Sequence, residues 1–147
     1  MKEIKVYQLG GKVKLTKKLV NSINKLLAVL SSNVRPVDIS ILRDLVASPL
    51  LEIFIVEVDG KIIGMASLYY IRTLGKNAAY VEDVVVHPDF QGQGLGKKIM
   101  NHLIKRAKER KVDFLELTSS PKRVAANKLY KKLGFELRET NVYRMKL

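Results

Sequence analysis

Three glycines at alternate positions, Gly92, Gly94 and Gly96, separate a valine-rich segment ending at His87-Pro88 from a basic run that opens with Lys97 and Lys98. Glycine adopts backbone conformations that let successive N–H groups converge on one point, and such a nest binds an anion. A helix starting there adds free N–H groups and the positive end of its dipole. The chemistry on offer is recognition of a phosphate or pyrophosphate. Two common phosphate patterns fail. A dinucleotide-binding G-x-G-x-x-G started at Gly92 needs glycine where Lys97 stands. A P-loop ending in Gly96-Lys97 needs glycine at Gln91 and Ser or Thr at Lys98.

Just upstream, Glu82 and Asp83 interrupt an apolar stretch, Ala79 to Val86. In an extended chain side chains alternate, so Glu82 shares a face with Tyr80 and Val84, and Asp83 faces the other way. Glu82 is a candidate proton acceptor; the competing reading is a strand carboxylate held by hydrogen bonds. His87, before Pro88, reads as structural. His102 falls opposite the apolar stripe of its segment and is expected to be exposed. Two histidines so far apart suggest no zinc site, and no metal is expected. The chain has no cysteine, which excludes disulfides, thiolate ligands and a cysteine nucleophile.

The 147 residues are enough for one domain with a real core, and no repeat or linker divides them. The formal net charge is +13, with most of the excess in segments 97–111 and 121–133. These segments read either as solvated helix faces or as a field that attracts a polyanion. No nucleic-acid partner is expected, because no helix-turn-helix, RNP or zinc pattern accompanies the charge. No membrane association is expected either: no apolar run is long enough to cross a bilayer. The start, Met1 to Lys5, alternates charged and apolar residues, unlike a secretory signal. A cytoplasmic location is the expectation.

The elements around these residues follow from periodicity and punctuation. Residues 2–9 alternate as a strand. Thr16 caps a helix to Leu30, with Leu19, Ile23, Leu26, Leu27 and Leu30 on one face. Pro36 and Asp38 open a second helix that Pro49 ends. Residues 51–58 form a strand, Asp59-Gly60 a hairpin turn, and 61–71 the return strand. Strand 79–87, the glycine loop and a helix from Leu95 to Arg110 follow. Strand 113–118 precedes a helix from Pro121 to Leu133, stopped by Gly134. Residues 135–147 read as two final strands. The order β-α-α-β-β-β-α-β-α-β-β predicts an α/β (α+β) fold: a mixed, mostly antiparallel sheet with helices on both faces.

At this point the sequence resembles the GNAT superfamily of N-acetyltransferases. Gln91-Gly92-Gln93-Gly94-Leu95-Gly96 fits that family's [Gln/Arg]-x-x-Gly-x-[Gly/Ala] signature at every fixed position. Asn127, Tyr130 and Gly134-Phe135 match its second hallmark, and the order of elements agrees over nearly the whole chain.

The resemblance implies acetyl-coenzyme A as cofactor. Backbone N–H groups of Gln91, Gly92, Gln93, Gly94, Leu95, Gly96 and Lys97 would bind its pyrophosphate. It also implies a bulged fourth strand that splays from the fifth, with Val84, Val85 and Val86 beside the pantetheine and the acetyl carbonyl. Asn127 would contact the cofactor arm. Tyr130 would protonate the departing thiolate and Glu82 would serve as base, with direct attack in a ternary complex. The acceptor would be an amine of a small molecule or a protein. Basicity mildly favours one bearing a phosphate or carboxylate, near Arg35, Arg43, Tyr69, Tyr70 or Arg72. The oligomeric state is open, a homodimer included. The competing function is a non-catalytic acyl-CoA-binding sensor on the same fold.

Overall fold

A computed structural model describes residues 2–147; Met1, the first residue of the alternating N-terminal pattern, lies outside the described residues. The elements are β1 (Ile4–Gln8), α1 (Lys17–Leu30), α2 (Ile39–Ala47), β2 (Leu51–Val58), β3 (Lys61–Arg72), β4 (Asn77–Val86), α3 (Leu95–Glu109), β5 (Phe114–Glu116) and α4 (Val124–Lys132). The five strands form one sheet in chain order. Neighbours are antiparallel except for β4 and β5, which run parallel through the α3 crossover.

Local chemistry sets the boundaries. Thr16 accepts a hydrogen bond from the Leu19 N–H at 3.1 Å, and Asp38 from the Ile41 N–H at 2.8 Å. Each cap is worth about 1 kcal/mol. Asp59 and Gly60 take positive φ of 47° and 78° at the β2–β3 turn, as the two-residue hairpin requires. Gly134, with φ of 98°, follows α4. Asn24 clamps the α1–α2 connection: its amide donates to the Val37 carbonyl and accepts from the Val37 N–H, both at 2.8 Å. That clamp fixes where α2 begins.

Alternation along β2 and β3 sends side chains into two cores. Phe54, Val56, Ala66 and Leu68 pack with Ile99, Met100 and Leu103 of α3. Ile53, Ile55 and Met65 pack with Leu19, Ile23, Leu26 and Leu27 of α1 and Leu42 of α2. Apart from Ala66, each such side chain contributes roughly 1.5–3 kcal/mol when fully buried. The sheet is thus a rigid partition with α3 on one side and α1–α2 on the other.

Three expectations are corrected. Residues 135–147 form no strand. Apolar residues in that segment stay in solvent, with Leu137 at 92% and Leu147 at 115% relative exposure. Alternation reports a preference for extended backbone, but a strand also needs a ladder partner, and β5 offers only three paired residues. His102 is half-buried rather than exposed, its ring 5.2 Å from that of Phe54 in an edge-on contact. Burial, and then nearby Lys105, push its pKa down. Tyr70 is buried on the α3 side, where its hydroxyl donates to Glu52 at 2.7 Å, so it is no acceptor contact.

Candidate active site

The site begins where β4 leaves β5. The two strands pair only through Ala78–Phe114, Ala79–Leu115 and Tyr80–Glu116. Beyond Tyr80 the outer edge of β4 has no strand neighbour, and a cleft of about 700 Å³ fills the gap. Val81 to Val84 form one wall, and Leu117 to Ser120 with Tyr130 the other. Leu30 and Val34, from the end of α1 and the loop after it, close one mouth.

A bulge reorients β4 at this place. In the β3–β4 register, Met65 faces Val85 and Ser67 faces Glu82, so one extra residue is inserted in β4. Asp83 absorbs it with φ of +55°, a left-handed conformation that is uncommon outside glycine. The expectation that Asp83 turns away from Glu82 fails for this reason. Ser67, the register partner of Glu82, donates its hydroxyl to the Asp83 carboxylate at 3.0 Å. Both acids therefore lie toward the α1–α2 side. Partial burial first, then the Asp83 charge, raise the Glu82 pKa above the ordinary carboxylate value.

Gly64, opposite Val86, allows this close approach. A Cβ there would meet the Val85 carbonyl oxygen at 3.1 Å and the Val56 Cβ at 3.3 Å. Val84 and Val86 pack toward the α3 core, whereas Val85 is buried toward α1.

Across the cleft, the Tyr130 hydroxyl meets no protein hydrogen-bond partner among the described residues, and its ring rests edge-on against Phe135 at 6.0 Å. Burial raises its pKa, and the Arg123 charge partly opposes this. Arg123 reaches back over the cleft to the Leu30 carbonyl at 3.2 Å. Asn127 donates to the Ser120 carbonyl at 2.9 Å and so braces the segment after β5. In the sequence, Ser119, like Ser120, suggests only the start of the last helix, which in fact begins at Val124. Its hydroxyl oxygen is buried in the cleft wall with no protein partner among the described residues.

After β4 a single 3₁₀ turn, Pro88–Phe90, leads into the glycine loop. Gly92 and Gly94 have φ of 75° and 77°, and Gly94 sits at the N-terminus of α3. The N–H groups of Gly92, Gln93, Gly94, Leu95, Gly96 and Lys97 meet no protein acceptor among the described residues. Gln91 departs from its expected role. The preceding turn uses its N–H, which donates to the Pro88 carbonyl at 3.2 Å, and its side chain donates to the Val86 carbonyl at 2.9 Å. It ties the loop to the end of β4. Arg35, Arg43 and Arg72 are exposed and line neither this cleft nor the smaller cavity beside it.

The sequence profile of the acetyltransferase (GNAT) family matches residues 24–135, and the chain belongs to that family. It is 35% identical over 89 residues to an uncharacterized N-acetyltransferase of Methanocaldococcus jannaschii; the match covers 58% of this chain and 39% of that protein. It is 35% identical over 72 residues to the Escherichia coli ribosomal protein bS18-alanine N-acetyltransferase, over 49% of each chain. The chain thus spans half or less of the length of these two relatives. The crystal structure of an acetyltransferase of Trypanosoma brucei superposes with a TM-score of 0.78 at 25% identity, covering 99% of this chain and all of that one.

Proposed function

We propose that this chain transfers the acetyl group of acetyl-CoA to a primary amine by direct attack, with Glu82 and Tyr130 handling the protons. The observation that carries the reading is the parting of β4 from β5, which leaves both side chains on one cleft beside an unpaired strand edge.

The residues present fit coenzyme A. Six unengaged N–H groups at the start of α3, with Lys97 and Lys98 beside them, suit a pyrophosphate. The open edge of β4 and the unpartnered Ser119 hydroxyl suit the amide groups of a pantetheine arm. Asn127 lies behind that wall rather than on it: its amide group holds the Ser120 carbonyl, which leaves its side-chain oxygen as the atom that could reach the arm.

The bound thioester supplies an activated acetyl carbon. One backbone N–H of the stretch Val84 to Val86, on the edge of β4 turned away from β3, would polarise its carbonyl, as a donor of an oxyanion hole does. Glu82 accepts a proton from the amine, which must be neutral to attack; its raised pKa makes it a stronger base than an ordinary carboxylate. The C–N bond forms, the C–S bond breaks, and Tyr130 gives its hydroxyl proton to the departing sulfur. The raised Tyr130 pKa keeps that proton in place at neutral pH. No covalent link to the protein is needed, in keeping with the absence of cysteine.

The test is thiol release from acetyl-CoA in the presence of a panel of primary amines. Amine-dependent release, reduced in Tyr130→Phe, supports the assignment. Tight coenzyme A binding with no release for any amine points instead to a sensor.

A further inference from the structure

A second cavity adjoins the cleft on the α1–α2 side of the sheet. It holds about 150 Å³, and its walls are Ile23, Leu27, Val37, Leu42, Leu45, Leu51, Ile53 and Met65, with Ser67 and Asp83 at one end. Asp83 is the one charged residue on this lining, and it also lines the larger cleft. The bulge therefore sets a carboxylate at the junction of the two spaces, held by the Ser67 hydroxyl at 3.0 Å, with Glu82 next to it.

Leu45 of this lining and two of its neighbours in the chain are apolar and exposed as well. Ile41, Leu45 and Leu50 are 44%, 37% and 59% exposed. The expected acceptor arginines lie elsewhere, so nothing on the cavity lining would hold a phosphate or carboxylate. What fits is a cation at the junction and hydrocarbon behind it. A dry cavity of roughly this volume lined by aliphatic side chains takes a six-carbon ring, so a Leu- or Met-sized group is within its capacity.

We infer that the acceptor is an α-amine next to an aliphatic side chain: the ammonium meets Asp83 and Glu82, and the side chain enters the cavity between α1, α2 and the sheet. This rests on the transferase reading above and names its substrate class. It reverses the expectation, drawn from net charge, of an anionic acceptor. The chain is basic as a whole, and Arg123 and Arg144 line the larger cleft, but the lining of this cavity carries only the charge of Asp83, and recognition follows local chemistry.

The same α-amine occurs at a polypeptide terminus and in a small molecule. The experiment compares otherwise identical peptides beginning with Leu, Met, Gly or Asp, together with leucinamide and glycinamide, by acetyl-CoA turnover. Leucyl and methionyl substrates should exceed glycyl by at least about tenfold in kcat/KM, with aspartyl the poorest. Leucinamide matching the leucyl peptide assigns a small amine as sufficient; activity on the peptide alone assigns a polypeptide terminus. Leu45→Phe, which narrows the mouth, should shrink the leucyl-to-glycyl ratio, and Asp83→Asn should raise KM for every amine. Equal rates on leucyl and glycyl substrates overturn the subsite and leave the transferase standing. Acetylation of no amine, with coenzyme A bound, overturns the transferase reading and the subsite with it.

Discussion

Glu52 and Glu82 are both carboxylates embedded in apolar strands of one sheet, on opposite faces, and their surroundings give them opposite character. Glu52, on the α3 side, is 5% exposed. Arg106 grips it with hydrogen bonds of 2.7 and 3.0 Å, Tyr70 donates at 2.7 Å, and Arg110 stands at 3.6 Å while covering the Tyr70 ring at 4.1 Å. Burial alone would raise its pKa, but the bonds from Arg106 and Tyr70, with the charges of Arg106 and Arg110, bring it below the ordinary value. Glu82 has no cationic partner among the described residues, and burial together with Asp83 raises it. A carboxylate whose bonds are all taken holds a helix to a sheet; one left without a cation is free to move a proton.

The contrast breaks most visibly at Glu52. Glu52→Gln removes the buried counter-charge that Arg106 and Arg110 share, leaving Arg106 only the exposed Glu109, and should cost about 2–3 kcal/mol, read as a lower urea midpoint. Its stabilising effect in the native protein is present above the unfolded-state carboxylate pKa and is lost as pH falls through the depressed folded value, so acid unfolding should start earlier in the variant. Glu82→Gln should do the reverse. It should lower kcat/KM by about a hundredfold at neutral pH while leaving the urea midpoint unchanged or slightly higher. A raised folded pKa means that ionisation disfavours the fold, so the native protein loses stability as pH rises through that value. The native rate should climb with pH on a limb displaced upward from that of an ordinary glutamate, and the Gln variant should lack that limb. Should Glu82→Gln keep both rate and limb, the base is elsewhere, with Asp83 the next group to examine.

Smaller effects sharpen the division. Tyr130→Phe should lower kcat by some tens-fold with little change in stability, since the hydroxyl bonds no protein group among the described residues. Gly94→Val places a β-branched residue at φ of 77° and should weaken coenzyme A binding by about tenfold, measured by titration calorimetry. Thr16→Ala, far from both acids, should cost only about 1 kcal/mol of stability with unchanged kcat.

Much of the frame was legible because it depends on local chemistry. Thr16 and Asp38 as caps, Asp59-Gly60 as a turn and β2 over 51–58 all follow from near neighbours in the chain. The glycine turn at the head of α3 was legible too, since glycine spacing and a helix start lie within a few residues. What failed required distant information. Residues 135–147 alternate like strands, but whether a ladder edge exists beside them is a property of β5. The part played by His102 depended on Phe54 of β2, which packs under α3; that of Gln91 lay nearby, in the turn just before it, but which groups that turn engages is fixed only once it has folded. Ser119 suggested only a helix start and nothing of the cleft, because an unpartnered hydroxyl is defined only by what surrounds it.

By itself, then, the sequence determined that a glycine turn opens a basic helix, that a tyrosine and a carboxylate accompany it, and in what order the elements come as far as α4. Tertiary structure decided the rest. It chose which of two strand glutamates is neutralised, by bringing Arg106 to one and no cation to the other. It also turned Asp83 onto the same side as Glu82. One inserted residue in β4 shifts the period-two alternation, and only the register against β3 reveals that shift.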